Sequence, residues 1–338
     1  MTYDVTVIPG DGIGPEITAE TIKVLEKTGL KFRWDEQSAG MGSVERRGSP
    51  LPDPTIDSIR KSGLALKGPL TTPKGGAFRS VNVALRKEFE LFANVRPALD
   101  IVPGGRYGDI DIVLVRENIE GLYIGVEHFI QVGDDPKAVA QSAAIVTRIG
   151  CERIIRYAFE YALAHGRNKV TVVHKANILK TTGGLFLESG EKIAKEYAGR
   201  VAMNDLIIDN CAMQLVLKPQ QFDVIVTTNL FGDILSDLIS GLVGGLGLAP
   251  GANIGTKAAI FEAVHGSAPD IAGKGIANPA AQILAGALML DHMGHRAHGD
   301  KVREAIRRVI VDDNIRTGDL GGKATTREFG DAVARRVG

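Results

Sequence analysis

Two aspartates stand four residues apart in Asn229-Leu230-Phe231-Gly232-Asp233-Ile234-Leu235-Ser236-Asp237-Leu238. On a helix, that spacing puts the carboxylates of Asp233 and Asp237 on one face, among apolar neighbours. A helix N-terminus favours acids and accounts for Asp233 alone, but it accounts poorly for Asp237. Two like charges on a part-buried face are costly without a counter-ion. A hard divalent cation with oxygen ligands offsets that cost.

The stretch from Lys67 to Pro97 mixes glycines, hydroxyls and arginines in a way a plain helix does not need. Arg86 and Arg96 fall within it, and Arg116 follows in Val115-Arg116-Glu117-Asn118. Guanidinium forks match carboxylates bidentately. One arginine alone reads more readily as a surface ion pair, whereas three beside apolar strands point weakly to a small polyanion. Lys175 follows the apolar run Val170–Val173, and the carboxyl ends of strands are where α/β proteins bind ligands. A solvated lysine is the plainer reading. Tyr123 and His265, the latter in Glu262-Ala263-Val264-His265-Gly266-Ser267-Ala268-Pro269, are ambiguous when taken singly.

Gly10-Asp11-Gly12-Ile13-Gly14-Pro15 follows a strand-like run and opens a helix-like one, with Asp35 and Glu36 further on. The glycines fall as G-x-G-x-G, which is not the dinucleotide fingerprint spacing. Pro15 occupies a first-turn position. The motif reads as a tight strand-to-helix turn rather than a direct phosphate cradle.

The elements that must position these groups alternate. Val5–Ile8, Ile110–Val115, Val170–Val173 and Val224–Thr227 read as strands. Pro15–Lys27, Gln141–Ala164, Gly183–Tyr197, Phe231–Val243, Pro279–Met293 and Lys301–Val311 carry helical spacing. The alternation argues for an α/β protein, and 338 residues suggest about two domains. Pro97 to Gly108 and Gly244 to Gly255 read as hinges. If both are crossings, the first domain is discontinuous, built from residues 1–100 and 246–338 around a second domain of 101–245.

Forty basic and forty acidic residues leave no net charge, so there is no electrostatic footprint for nucleic acid or an anionic membrane. The most apolar stretch, Leu238 to Ala249, is well short of the ~20 residues of a membrane span. The N-terminus alternates like a strand and lacks the pattern of a signal peptide. Cys151 and Cys211 match neither a metal finger nor a disulfide framework, which fits a reducing cytoplasm.

Together these segments resemble the isocitrate and 3-isopropylmalate dehydrogenase family, in order and over essentially the whole chain. The matching motifs begin with Gly10-Asp11-Gly12-Ile13-Gly14-Pro15-Glu16 and Arg116-Glu117-Asn118 with Tyr123. His174-Lys175-Ala176-Asn177, the stretch from Asn229 to Asp237, and His265-Gly266-Ser267-Ala268-Pro269-Asp270-Ile271-Ala272-Gly273 follow. The resemblance implies a two-lobed α/β fold that is not an ordinary Rossmann domain. It has a discontinuous large lobe for the nucleotide and a smaller dimerisation lobe. It also implies a homodimer clasped by an arm around Ile124 to Val146, with active sites shared between subunits.

Residue roles follow from the same resemblance. Arg86, Arg96 and Arg116 clamp the two malate-type carboxylates. Asp233 and Asp237 ligate Mg²⁺ or Mn²⁺ with Asp209 of the other subunit. Lys175 of the partner is the general base and Tyr123 the acid. NAD is implied against Ile13, Leu70, Thr72, Asn82, Asn177, Glu262, His265, Gly266, Ser267, Ala268, Asp270, Ile271 and Asn278. NADP-preferring relatives carry lysine and tyrosine where Asp270 and Ile271 stand. Arg316 could still reach a 2′-phosphate, with Asp312 placed in sequence to neutralise it. Arg79-Ser80-Val81-Asn82 resembles the serine and asparagine that read the third carboxylate of isocitrate. The implied reaction is NAD-dependent oxidative decarboxylation of isocitrate to 2-oxoglutarate. Homoisocitrate is the competing substrate, and a non-catalytic regulatory subunit is the competing role.

Overall fold

The computed structural model describes residues 1–71, 80–105 and 107–338; Thr72 and Arg79 therefore lie outside the described residues. The strands, in chain order, are β1 (Thr2–Ile8), β2 (Lys31–Glu36), β3 (Leu64–Lys67), β4 (Ala93–Leu99), β5 (Asp111–Glu117), β6 (Gly121–Val132), β7 (Asp135–Ile145), β8 (Lys169–His174), β9 (Ala202–Ile207), β10 (Val224–Thr227), β11 (Pro250–Ile254) and β12 (Ala259–Ala263). The fold is mixed α/β. The chain forms two compact units, Met1–Leu91 with Arg96–Ile110 and Ser240–Gly338, and Phe92–Val95 with Asp111–Ile239.

The first unit orders its strands β2-β1-β3-β12-β11. All pairings are parallel except β11 with β12. Val5, Thr6, Val7 and Ile8 are all buried, as expected of a strand covered on both faces. The helix Ala280–His292 is apolar almost all round and nearly wholly buried. Its Gly286 lets Leu25 of the helix Gly14–Glu26 approach, since a Cβ there would stand 3.1 Å from the leucine side chain.

The second unit orders β5-β10-β8-β9, all parallel. The helix Arg148–Ala164 packs on β5, β8 and β10. β6 and β7 form a separate antiparallel ribbon. Val126, Phe129, Ile130, Val132, Val139 and Ile145 of that ribbon are exposed apolar side chains.

Several expectations are corrected. Residues 141–145 are the end of β7, not the start of a helix. The helix begins only after Thr147, whose side chain accepts from Gly150 N at 2.9 Å and caps it. Pro250-Gly251 opens a fully buried strand rather than a hinge; proline is tolerated there as the first residue of a strand. Residues 101–110 and 240–245, expected in the second domain, cluster with the first unit, and 92–95 cluster with the second. Asp100 N donates to Ile110 O at 2.8 Å, closing the 100–110 loop. A Cβ on Gly244 would touch Val102 at 3.3 Å, so these two stretches pack together. Among the described residues no helix is long and apolar enough to cross a membrane.

Candidate active site

In the second unit, strand register gathers the chemistry. Thr227 of β10 pairs with Arg116 of β5 on one side and with Val173 of β8 on the other. Asn229 and Lys175 therefore both leave their strands two residues beyond the same level. Parallel strands deliver all three side chains to one edge, the carboxyl edge where such sheets bind ligands.

Arg116 is 1% exposed and its donors are placed by the helix Asn229–Leu242. Its Nε and Nη2 donate to Asn229 Oδ1 at 3.1 and 2.7 Å. Its Nη1 donates to Asp233, and the Tyr123 hydroxyl donates to the other oxygen of that carboxylate. The guanidinium lies 5.2 Å from the centroid of the Tyr123 ring. Gly232 makes this possible, because a Cβ there would stand 2.5 Å from Arg116 Cγ. Asn229 and Gly232 were not singled out from sequence, although both lie in the quoted motif; their role needs the helix to dock on Arg116.

Asp237 is exposed one turn on, and Asp233 is half-buried with Arg116 as its counter-charge. Within one chain, then, the desolvation argument for a cation fails, because this helix face is not buried. Among the described residues no three acidic, histidine or cysteine side chains gather as a metal site.

Lys175 belongs to a second cluster. Its Nζ donates to Asp209 Oδ1 at 2.5 Å. The hydrogen bond from Lys175 holds the Asp209 carboxyl below its ordinary range, with help from a backbone N–H. His174 braces the turn. Its Nδ1 accepts from Ala176 N at 3.0 Å, so its Nε2 is the donor to Asp205 at 3.0 Å. Asn177 is exposed beside it.

The first unit holds the remaining expected residues. Ser80 precedes the helix Val81–Glu88 and its hydroxyl does not cap it. Asn82 carries a buried Oδ1 without a partner among the described residues. Asn82 and Arg86 line a small cavity with Lys67, Asn253 and Glu262. Lys67 and Glu262 form a buried ion pair at 2.5 Å, and Asn253 donates to Glu262 at 2.7 Å. Burial opposes ionisation of Glu262. The charge of Lys67, then that of Arg86, and the hydrogen bonds outweigh it and hold the carboxyl down at about 2. Glu262 thus faces Lys67 and Arg86 and is not one of the residues lining the larger cavity described next. Leu70 is buried and Arg96 half-buried on β4.

That larger cavity, of about 560 Å³, is lined by Ile13, His265, Gly266, Ala268, Ile271 and Asn278 from the expected nucleotide set. Gly247, Ile276, Ala277, Gly318 and Asp319 complete it. Asp319 went unnoticed in the sequence; its signal is the turn Gly318-Asp319-Leu320-Gly321-Gly322. Asn278 is committed within the protein, donating to Asp319 Oδ2 and accepting from Ala280 N, both at 2.9 Å. His265 Nδ1 donates to Gly266 O at 3.0 Å, which leaves Nε2 an acceptor, buried and without a partner. Burial lowers the pKa of this ring, so it stays neutral. Asp270 is exposed next to Ile271. Arg316 is turned elsewhere. Its Nε donates to Ile310 O at 3.0 Å and it lines another cavity with Asn314 and Lys323. The expected neutralisation by Asp312 does not occur, because the backbone carbonyl holds the guanidinium instead.

The profile described as isocitrate/isopropylmalate dehydrogenase matches residues 4–333. The crystal structure of isocitrate dehydrogenase from Methylococcus capsulatus superposes with a TM-score of 0.94 at 58% identity, covering 99% of each chain. The isocitrate/homoisocitrate dehydrogenase of Thermus thermophilus is 48% identical over 100% of this chain and 99% of its own. Catalytic subunit 5 of the mitochondrial NAD-isocitrate dehydrogenase of Arabidopsis thaliana is 46% identical over 97% of this chain and 87% of its own. The names of further relatives extend to an NADP enzyme and a regulatory subunit. Profile, identity and superposition all cover nearly the full length, and the clustered side chains lie in the motifs that carried the resemblance. The chain therefore belongs to the isocitrate/isopropylmalate dehydrogenase family of decarboxylating, nicotinamide-dependent oxidoreductases.

Proposed function

We propose that the protein oxidises and decarboxylates isocitrate to 2-oxoglutarate and CO₂ with NAD, as a homodimer with shared sites. The observation that carries the substrate is the start of the helix Val81–Glu88. Ser80 keeps its hydroxyl off its own helix end, and Asn82 in the first turn carries an amide N–H₂; both groups can donate to a carboxylate. A hydroxyl, an amide and a helix N-terminus suit a third carboxylate. They reject an isopropyl tail, whose binding would leave polar groups unpaired.

Arg86, Arg96 and Arg116 hold the other two carboxylates through guanidinium forks. Lys175 of the partner subunit takes the proton of the C2 hydroxyl, which requires hydrogen-bond reach. Tyr123 returns a proton to carbon after the β-carboxylate has left. NAD would supply the hydride acceptor, and Mg²⁺ or Mn²⁺ would supply Lewis-acid stabilisation of negative charge on the substrate oxygen. Asp233, Asp237 and Asp209 of the partner subunit would hold that ion, an all-oxygen set suited to a hard cation. The exposed apolar ribbon β6–β7 supports a dimer. Cys151 and Cys211, both free and buried, support a reducing, cytoplasmic setting.

The nucleotide reading is supported by the large cavity beside Ile13, where His265 Nε2 is an acceptor awaiting a donor such as an adenine amino group. NAD over NADP is supported by Asp319 in the cavity lining, by the exposed Asp270 that precedes the lining residue Ile271, and by the engagement of Arg316 elsewhere. The sequence keeps Lys175, Tyr123, Asp209, Asp233 and Asp237, the proposed base, acid and metal ligands, which supports a catalytic over a regulatory role.

An assay of NAD and NADP reduction with isocitrate, homoisocitrate and isopropylmalate, with and without EDTA, tests the reading. NAD reduction with isocitrate, lost in EDTA and restored by Mg²⁺, is expected. Faster turnover of either competitor would overturn the substrate. Ser80→Glu should abolish isocitrate turnover in a folded protein by setting charge against charge.

A further inference from the structure

Lys175 leaves β8 on a turn that is held from several sides. At the strand's end, Thr227 Oγ1 donates to Val173 O at 2.9 Å. Beyond it, Lys175 O accepts from Ile178 N at 3.1 Å and from Leu179 N at 2.8 Å. The helix Thr182–Glu196 packs onto the turn through Gly183, where a Cβ would stand 2.9 Å from Ala176 N and 3.0 Å from Lys175 C. One further bond comes from a side chain. His174 Nδ1 accepts from Ala176 N at 3.0 Å. The ring of one neighbour thus holds the amide of the other, with Lys175 between them.

That bond needs a bare lone pair on Nδ1, and Asp205 supplies the reason for one. The ring is 4% exposed, and its Nε2 donates to Asp205 Oδ2 at 3.0 Å. An ionised carboxylate accepts hydrogen bonds and donates none, so the ring proton is drawn to Nε2 and Nδ1 is left an acceptor. Asp205 and Asp209 therefore serve adjacent groups. The first fixes the ring, and the second takes the ammonium of Lys175 at 2.5 Å. The direction of the Lys175 Cα–Cβ bond is set by the peptides on either side of it, and the ring holds the second of these.

We propose that His174, with Asp205 behind it, is a positioning residue for Lys175: its clamp on the Ala176 amide aims the base at the proton it removes. The proposal rests on the functional reading above, in which Lys175 is that base. A general base works only within hydrogen-bond reach, so a slackened turn should lower the rate of the chemical step more than it weakens ligand binding.

The test compares two near-isosteric replacements in the intact protein. The amide oxygen of asparagine falls at the place of Nδ1, and the amide nitrogen of glutamine at the place of Nε2. His174→Asn keeps the acceptor for Ala176 N and gives up Asp205. His174→Gln keeps a donor for Asp205 and gives up the clamp. His174→Gln should lower kcat by about 10- to 100-fold, as a misplaced catalytic group does, with KM for isocitrate and NAD moving less than about threefold. His174→Asn should stay within about threefold of the parent kcat, the effect of one hydrogen bond. Hydrogen exchange of residues 174–180, followed by mass spectrometry without substrate, should quicken in His174→Gln and not in His174→Asn. Equal kcat in the two folded variants, or exchange that does not distinguish them, overturns the proposal. If His174→Gln does not fold, Asp205→Ala decides, because Asp205 is exposed. It should quicken the same exchange and lower kcat by about threefold, and parent-like exchange overturns the proposal. Kinetics are read with whichever hydroxy acid the parent turns over. A fully active Lys175→Met protein refutes the functional reading, whereas an inactive one beside equal His174 variants refutes the positioning alone.

Discussion

The ammonium of Lys175 and the carboxylate of Asp209 lie 2.5 Å apart in one chain, just beyond the ends of the adjacent parallel strands β8 and β9. Arg116, Tyr123 and Asp233 form their own bonded group in the same unit. The proposed base and one proposed metal ligand thus form a pair within one chain, which is the pairing that the proposed shared site would use.

Lys175→Met should lower homodimer turnover by roughly 100- to 10,000-fold, the range for a general base, and Asp237→Asn should leave the homodimer nearly inactive by weakening the proposed metal site. Mixed and re-formed, the two variants should regain about a quarter of parent activity, since half the dimers carry one intact site. Native mass spectrometry confirms that heterodimers form. Heterodimers without activity would refute the shared site.

Gly232→Ala should push the Arg116 guanidinium off Asn229 and Asp233, because the added Cβ meets Arg116 Cγ at 2.5 Å. A displacement of that order costs about 100-fold in kcat/KM. Steady-state kinetics, with Tm measured alongside, distinguishes this from unfolding. An active Gly232→Ala enzyme would show that Arg116 need not be held there.

Glu262 is held at about 2 against an ordinary 4.5 by Lys67 and Arg86, despite its burial. A depressed carboxylate contributes stability that is fully present above its unfolded pKa and is lost as pH falls from there through the folded value. Urea midpoints should therefore fall between about pH 4.5 and 2. Glu262→Gln should strand Lys67, costing about 3–5 kcal/mol at pH 7, and flatten that acid slope. Lys67→Met added to Glu262→Gln should recover part of the loss. An unchanged slope in Glu262→Gln would assign acid lability to other groups.

The parent should prefer NAD by about a hundredfold, because hydrogen bonds to a charged group contribute ~1.5–3 kcal/mol and a 2′-phosphate would be repelled. Asp270→Lys with Ile271→Tyr should shift that preference toward NADP. The measurement is kcat/KM for both dinucleotides. A double variant with unmoved preference would transfer the role to Asp319.

The groups proposed to do the chemistry stand out in the linear chain. The i, i+4 aspartates, the arginines, Lys175 after its strand and the polar Ser80 and Asn82 are local patterns that resemblance turned into roles. The α/β alternation was equally local, since buried parallel strands are short apolar runs. Where the sequence misled, distant contacts decide. Residues 141–145 have helical spacing but pair with β6, because a ribbon partner outweighs local periodicity. Pro250-Gly251 carries hinge signals yet opens a buried strand against β12. Asp237 was read as part-buried and is exposed, because helix periodicity says which residues share a face but not what covers it. Gly232, Asn229, Asp319 and the bond between His174 and Asp205 depend on approaches between segments far apart in the chain. The linear order thus determined the kinds of groups and their elements. Only tertiary packing decided which side chains are engaged with one another, because hydrogen-bond partners and burial are properties of three-dimensional neighbours.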